Sequence, residues 1–413
     1  MQINSKYIMV NDKKSFELAK IHLASSKEIS IDTESSGFFT YYSKICLIQI
    51  SGSGQNFIFD PLAQIDLKSL DVIFQNPKVL KIFHSAIDDI KALKRDFGFT
   101  FINIADTMYS SKLLGLEHNS LNYLVEHYHQ VHLSKTEQKS NWEKRPLERQ
   151  QLQYAALDTA YLESIWNSMK IELEKKNLLD EAISEFQKIS EEPIPLKETV
   201  NEIQWYKFPE IDKFTSHERR TIADILTFRD EKAKRVNKAP FRVLNNENIL
   251  KLIRKELNQE GLIALLGKKD GAELYTIIET PTGPPLEKSE IPKTDFEVKA
   301  EEEEGFKNLR KWRERIMKKR NIDHTMLPSN KQILQIIRNK VSSIEDLEKL
   351  NLMSKWKLGN YGQSILLALK GENYDSFLAP LVVLPQVNRK KNPGFIKKHP
   401  KKAPIEIKTV DVP

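Results

Sequence analysis

Residues 28–38 read EISIDTESSGF, in which Ile29, Ile31 and Thr33 alternate with Ser30, Asp32 and Glu34. Strand residues two apart share a face. An extended reading therefore sets an apolar face against one that carries two carboxylates side by side. Such a face meets either water or a cation, and the rest of the chain has to decide which. Around this stretch lie further short, apolar, partly β-branched runs: YIMV, KICLIQIS, NFIFD and VLKIFH. Helical patterns follow at Ser15–Leu23, Ala86–Phe97, Leu121–Tyr128 and Leu147–Met169. Three strand signals in quick succession after Glu28 favour antiparallel neighbours, followed by helix crossovers. The economical reading is an α/β domain that ends near Lys188.

The chain of 413 residues is long enough for two or three domains, and its 40% hydrophobic and 29% charged residues are ordinary for a protein with real cores. A net charge of +7 and a pI near 9.0 suit a polyanionic partner. Cys46 is the single cysteine, which excludes an internal disulfide and a cysteine-based zinc site. The start, MQINSKYIMVNDKKSF, has no apolar signal region, and no stretch is apolar for long enough to span a bilayer. The expectation is a soluble, cytoplasmic monomer with no membrane partner.

Beyond the α/β half, SEEPIPLKE at Ser190–Glu198 reads as a short linker, and from about Trp205 onward the patterns are helical. The Pro-rich TPTGPPLEKSEIPKTD, Thr280–Asp295, reads as an extended linker. The segments on its two sides overlay without a gap. Phe228 meets Trp312, Arg229 meets Arg313, Asn237 meets Asn321 and Asn246 meets Asn330, with Ile249, Leu250, Ile253 and Arg254 on Ile333, Leu334, Ile337 and Arg338. Apolar spacing is kept in both copies, which predicts two small helical bundles of one type. The two repeats also carry a basic set: Arg229, Lys234, Arg235, Lys238 and Arg242 in one, Arg313, Lys318, Lys319 and Arg320 in the other. Singly these read as solvated residues; as a group they suit a track for a polyanionic partner. The tail after Pro380, with NRKKNPGFIKKHPKK, reads as a basic, disordered arm for nucleic acid or a solubilising tail, the two held even.

Further acids stand where packing alone does not place them. In the Ala86–Phe97 pattern, Asp88 has Lys91 and Arg95 as helical neighbours, whereas Asp89 flanks the apolar stripe beside Ala86 and Leu93. Asp158 lies inside the stripe formed by Tyr154, Ala155, Tyr161 and Leu162. A buried, unpaired carboxylate is costly, so something positive must compensate it. Tyr154, one turn away, can reach whatever Asp158 binds. Oxygen-only donors select a hard cation, Mg²⁺ or Mn²⁺. Asp32, Glu34, Asp89 and Asp158 suffice for a pair of such ions, the arrangement used for phosphodiester cleavage.

These motifs, DTE at Asp32–Glu34, HSAIDDI with Asp89, and YAALD at Tyr154–Asp158, resemble the DEDD exonucleases, and Tyr154 marks the DEDDy subgroup. TYYSKICLIQI, FHSA, ADT at Ala105–Thr107 and NWEKRPLERQQLQYAALD bring the resemblance closest to the bacterial ribonuclease D family, over most of the first 170 residues. The helical repeats resemble HRDC domains, the first copy better than the second. The resemblance implies a ribonuclease H-like exonuclease domain over 1–190, HRDC-like domains at 205–280 and, more divergent, 298–378, and a tail over 380–413. It implies that Asp32, Glu34, Asp89 and Asp158 bind two divalent ions, Asp32 bridging both, and that Tyr154 holds the attacking water. His84 becomes a pocket residue rather than a ligand. Family members often carry a bulky apolar residue directly after the Glu, where Ser35 stands here, so Phe38 or Phe39 takes the role of nucleobase wedge. Arg229, Arg235 and Arg313 are the candidate RNA contacts of the repeats. The implied activity is 3′→5′ exoribonuclease cleavage of tRNA precursors or other structured RNA with a free 3′ end, releasing 5′-mononucleotides. The competing readings are the same chemistry on DNA, and a non-catalytic RNA-binding scaffold. The complete acid set argues against the scaffold.

Overall fold

A computed structural model describes residues 6–63, 65–133, 136–193, 203–291, 298–378 and 382–384. Among them, six strands form one mixed sheet: β1 (Tyr7–Val10), β2 (Glu28–Ser35), β3 (Ile45–Gly52), β4 (Gln55–Phe59), β5 (Leu80–Phe83) and β6 (Ile104–Asp106). Their order is β1-β4-β3-β2-β5-β6. As the close spacing predicts, β2, β3 and β4 pair antiparallel, while β1 lies parallel to β4 and β5 parallel to both β2 and β6. β6, three residues long, has no counterpart in the sequence reading; so short a strand carries no period of its own.

The helix expected over Leu147–Met169 is two helices, Arg149–Ala160 and Leu162–Lys175, that meet at Tyr161. The first packs on β2, β3 and β4; the second packs on β2, β5 and the Thr107–Leu114 helix. Each half has apolar residues for its own neighbours, so a single stripe runs through a real break. The Leu179–Ser190 helix closes the α/β domain.

The two helical repeats share local structure down to single bonds. Asn237 and Asn321 both end their long helices, Ser216–Val236 and Glu303–Arg320, in the left-handed conformation that Asn tolerates. Arg229 donates to the Leu244 carbonyl (3.3 Å) and to Asn246 Oδ1 (2.8 Å). Arg313 donates to the carbonyl of Pro328 (2.9 Å), the overlay partner of Leu244, and to Asn330 Oδ1 (2.7 Å). Equivalent arginines thus staple equivalent helix junctions.

The repeats differ in how they are integrated. The first has its own core around Ile222, Ile225, Ile249 and Leu274. The second merges with the α/β core, with Trp312 and Tyr361 in the same apolar cluster as Phe186. At that seam Arg320, a member of the expected basic track, is fully buried rather than solvated and pairs with Glu181 through both nitrogens, at 2.9 and 2.7 Å. The Pro-rich stretch is not a free linker in its described part. Arg219, buried, donates to the Leu286 carbonyl (3.2 Å), and Asp224 accepts from the Thr282 amide (2.9 Å), which straps the stretch onto the Ser216–Val236 helix. The second repeat reaches past 378: Leu384, buried, donates its amide to the Arg320 carbonyl at 2.8 Å. Residues 385–413, which hold the basic tail, lie outside the described residues, as do 194–202 of the first linker.

Candidate active site

β2 delivers Asp32 and Glu34 to the sheet face covered by the Arg149–Ala160 helix, and that helix supplies Asp158. One carboxylate oxygen from each of Asp32, Glu34 and Asp158 lies within 4.8 Å of the others. Directly after Glu34 the β2–β3 register slips at a bulge, which ends the regular pairing at the rim of the site. Asp89 comes from the first turn of the Ala86–Phe97 helix and accepts a 2.5 Å hydrogen bond from Thr33 Oγ1.

The electrostatics are those of an uncompensated acid cluster. Burial raises Asp32 well above the ordinary carboxylate range, and the Asp158 charge adds to this. Glu34 is raised well above its ordinary value by burial, then by Asp32, Asp158 and Asp89. Burial and the Asp32 charge raise Asp89 against the opposing bond from Thr33. Burial lifts Asp158 to about 7 against the bond from Tyr154, with Asp89 adding to the rise. Among the described residues no lysine or arginine pairs with any of the four. A set of hard oxygen donors, part-buried and mutually repelling, fits a divalent cation.

Tyr154 lies one turn before Asp158 and bonds to it. Burial and the charges of Asp158, Glu34 and Asp32 push its hydroxyl far up, so it stays a neutral phenol at any working pH. Its ring lies 6.2 Å from that of Trp142, which is buried beneath it. The NWEKRPL segment that carries Trp142 is pinned by Arg145, which grips both oxygens of Asp60 at 2.7 Å and the Cys46 carbonyl at 2.9 Å.

The ADT motif at Ala105–Thr107 builds the turn that aims Asp89. Asp106 Oδ1 accepts from the amides of Ser85, Met108 and Tyr109, and Oδ2 from that of Ala86, at 2.8–3.1 Å. It thereby holds Ser85 in the left-handed conformation that starts the Ala86–Phe97 helix. Thr107 donates to the Phe83 carbonyl (3.1 Å) and so accepts from His84 Nδ1 (2.9 Å). Burial lowers His84 to about 4, against the pull of Asp106, so the ring is neutral at physiological pH.

Of the expected site residues, the structure gathers Asp32, Glu34 and Asp158 into one cluster, with Tyr154 bonded to Asp158, while Asp89 stands outside that group, bonded to Thr33 and within electrostatic reach of Asp32. Phe38 and Phe39 lie on the segment that follows β2, where their rings touch one another at 5.5 Å. The repeat arginines are elsewhere: Arg229 and Arg313 serve the helix junctions, and Arg235 pairs with Asp270 at 2.5 Å. Sequence reading missed Gln49. It stands directly across from Asp32 in the β2–β3 register, fully buried, with an amide that makes no hydrogen bond among the described residues. A polar residue inside the apolar run CLIQI was the available signal.

Residues 7–174 match the 3′-5′ exonuclease family and residues 302–369 match the HRDC domain family. The HRDC match falls on the second repeat, the one the sequence resemblance ranked weaker. The exosome complex exonuclease RRP6 of Saccharomyces cerevisiae is 35% identical over 173 residues, covering 42% of this chain and 24% of its own. Human exosome complex component 10 is 30% identical over 292 residues, covering 65% of this chain and 32% of its own. The chain thus spans only a quarter to a third of these relatives' lengths. In fold it is similar to Escherichia coli RNase D, with a TM-score of 0.57 at 20% identity over 89% of this chain and 100% of that one. The catalytic core of RRP6 from Trypanosoma brucei gives 0.58 at 23% identity over 67% and 82%. The chain therefore carries a 3′-5′ exonuclease domain of ribonuclease H-like fold, followed by an HRDC domain. Taken whole, its fold is similar to that of E. coli RNase D.

Among the described residues no helix is long and apolar enough to cross a membrane.

Proposed function

We propose that this protein is a 3′→5′ exoribonuclease that removes 5′-mononucleotides from RNA 3′ ends, with tRNA precursors or other structured RNAs as substrates. The observation that carries the proposal is the part-buried acid cluster at the end of β2, closed by Tyr154. Asp32, Glu34 and Asp158, together with Asp89, would hold two divalent ions, Mg²⁺ or Mn²⁺. Bound there, such ions supply positive charge against the phosphodiester and ease deprotonation of water. The chain's own residues do the rest. Tyr154, a neutral phenol anchored by Asp158, accepts from and orients the attacking water. The water oxygen forms a bond to phosphorus as the bond to the 3′ oxygen breaks. One proton of the water ends on that leaving oxygen, which regenerates a 3′ hydroxyl for the next cycle. RNA is preferred to DNA by analogy with E. coli RNase D, described as an exoribonuclease involved in structured RNA processing.

The test is labelled single-stranded RNA and DNA incubated with Mg²⁺ or Mn²⁺, with and without EDTA. Stepwise release of 5′-mononucleotides from RNA, silenced by EDTA, is expected, and a 3′-phosphorylated or circular RNA should resist. Rapid loss of the circle would instead show an endonuclease, and faster loss of DNA than RNA would reassign the substrate. Tyr154→Phe keeps the ring against Trp142 and removes only the hydroxyl. We expect the single-turnover rate to fall by roughly 10²-fold with little change in RNA binding. A wild-type rate would reduce Tyr154 to a packing residue.

A further inference from the structure

Next to the acid cluster the α/β domain and the first helical repeat meet through aromatic rings that are left open to solvent. Phe38 follows Glu34 by four residues, so the chain between them spans at most about 14 Å. Its ring lies 5.2 Å from that of Phe241, which belongs to the repeat. Both rings are conspicuously bare, Phe38 at 41% and Phe241 at 45% exposure. Arg242 locks the junction. Its guanidinium stacks 3.8 Å over Phe39 and 4.9 Å over Phe38, and its Nε donates to the Phe38 carbonyl at 2.8 Å. The Ala239 amide donates to the Phe39 carbonyl at 3.0 Å, and Tyr41 donates to Asp230 at 3.0 Å. Lys139 Nζ lies 5.9 Å from the centre of the Phe38 ring.

Burying Phe38 and Phe241 against each other would satisfy a merely structural contact. Here the backbone of the junction is tied down while both residues stay two-fifths or more exposed, with two cations beside them. Open aromatic faces beside Arg and Lys are the composition that stacks single-stranded bases and neutralises their phosphates.

We propose that Phe38 and Phe241 form a composite platform on which a base of single-stranded RNA stacks. That base belongs to a nucleotide upstream of the one held at the acid cluster, and Arg242 and Lys139 face the adjoining phosphates. The proposal rests on the exoribonuclease reading and adds a subsite to which the helical repeat contributes directly. It gives that repeat a role in holding the 3′ strand itself, rather than only a distant RNA body.

The test is a cycle of paired changes on full-length protein, read as Kd by fluorescence anisotropy of a 5′-labelled oligoadenylate in EDTA, so that the probe survives. One arm replaces Phe241 with Ala. The other replaces single bases at the second to fourth nucleotides from the 3′ end with abasic sites. Each change alone should weaken binding about tenfold at one of those positions, the loss expected for a stacked base. The two together should cost no more than either alone. Phe241→Trp should bind like wild type, which separates loss of stacking from loss of fold. Wild-type affinity in Phe241→Ala, or losses that multiply at every position, would overturn the platform. If the cycle holds while wild-type protein releases no nucleotide with Mg²⁺ or Mn²⁺, the exoribonuclease reading fails and the platform stands. If release is seen and the cycle shows no coupling, the platform alone fails.

Discussion

Asp32→Asn should abolish cleavage and, in the same molecule, raise the melting temperature of the metal-free protein. The substitution keeps the side chain's volume and removes one charge from a cluster whose oxygens lie within 4.8 Å of one another. Loss of a donor from the proposed metal set should lower the rate by more than about 10³-fold, beyond the cost of removing one fixed electrostatic donor. Stability moves the other way because each carboxylate there is raised above its unfolded value, Asp158 to about 7. Between the unfolded carboxylate range and their raised folded values, these groups therefore hold protons that the unfolded chain has released. Stability from these groups is full below the unfolded value and is lost as pH rises through the folded one. As pH rises through the folded values the metal-free wild-type protein takes on this repulsion, and the asparagine variant takes on less. A gain of about 1–2 kcal/mol is expected, since a tenfold change in a carboxylate's proton affinity is worth about 1.4 kcal/mol. That corresponds to a few degrees in a domain of this size. Metal reverses the ranking: a cation at about 100 times its Kd stabilises the wild type by about 2.7 kcal/mol. Melting curves at pH 5 and 7.5, in EDTA and in Mg²⁺, check all of this. A variant that melts lower in EDTA, or that still trims RNA, would show that Asp32 is not a metal carboxylate.

The acid cluster was legible because its members break local patterns. Asp158 interrupts an apolar stripe, Asp89 flanks one, and Asp32 and Glu34 share a strand face. The chemistry of such misfits is visible without knowing what they touch. The repeats were legible because their two segments overlay without a gap and keep their apolar spacing, whereas Arg229 and Arg313, read as RNA contacts, staple Leu244 and Pro328 instead. What stayed hidden were residues that follow their local pattern while a distant partner changes their meaning. Arg320 closes a helix whose last turn also holds Lys318 and Lys319, where a cation complements the helix dipole. Glu181 sits in the first turn of its own helix, an equally ordinary place for an acid. Nothing short of their meeting, 139 residues apart, shows that both are buried. Tyr161 is similar: the stripe on either side is continuous, and the sheet decides where the helix breaks. The Pro-rich stretch misled for a related reason, since Arg219 and Asp224 bind its backbone, and composition does not record that.

The Arg320–Glu181 pair ties the second repeat to the α/β domain, and Arg320→Met should show it. The guanidinium is bonded to both oxygens of Glu181, to the Tyr361 hydroxyl and to the Val382 carbonyl at 3.0 Å, and it stacks 5.1 Å from the Trp356 ring. Replacing it with Met roughly conserves volume but strands Glu181, 1% exposed, without a partner. Breaking a buried pair in this way costs about 3–5 kcal/mol, mostly through the uncompensated charge left behind. Glu181→Leu alone should cost a similar amount by stranding Arg320. The double variant, with an apolar pair in place of the charges, should recover most of the loss, because desolvation of the native pair offsets much of its attraction. The neighbouring Lys357–Glu185 pair, at 3.0 Å, should limit but not abolish the effect. Urea unfolding of the two single variants and the double, followed by tryptophan fluorescence, measures the coupling. The same seam means that cutting the chain after residue 190 uncovers Phe186 and its neighbours, which pack in one core with Trp312 and Tyr361. The α/β domain alone should then unfold at lower urea than the full chain. Single variants that each cost under about 1 kcal/mol, or a truncated domain as stable as the whole, would show the second repeat to be an independent module after all.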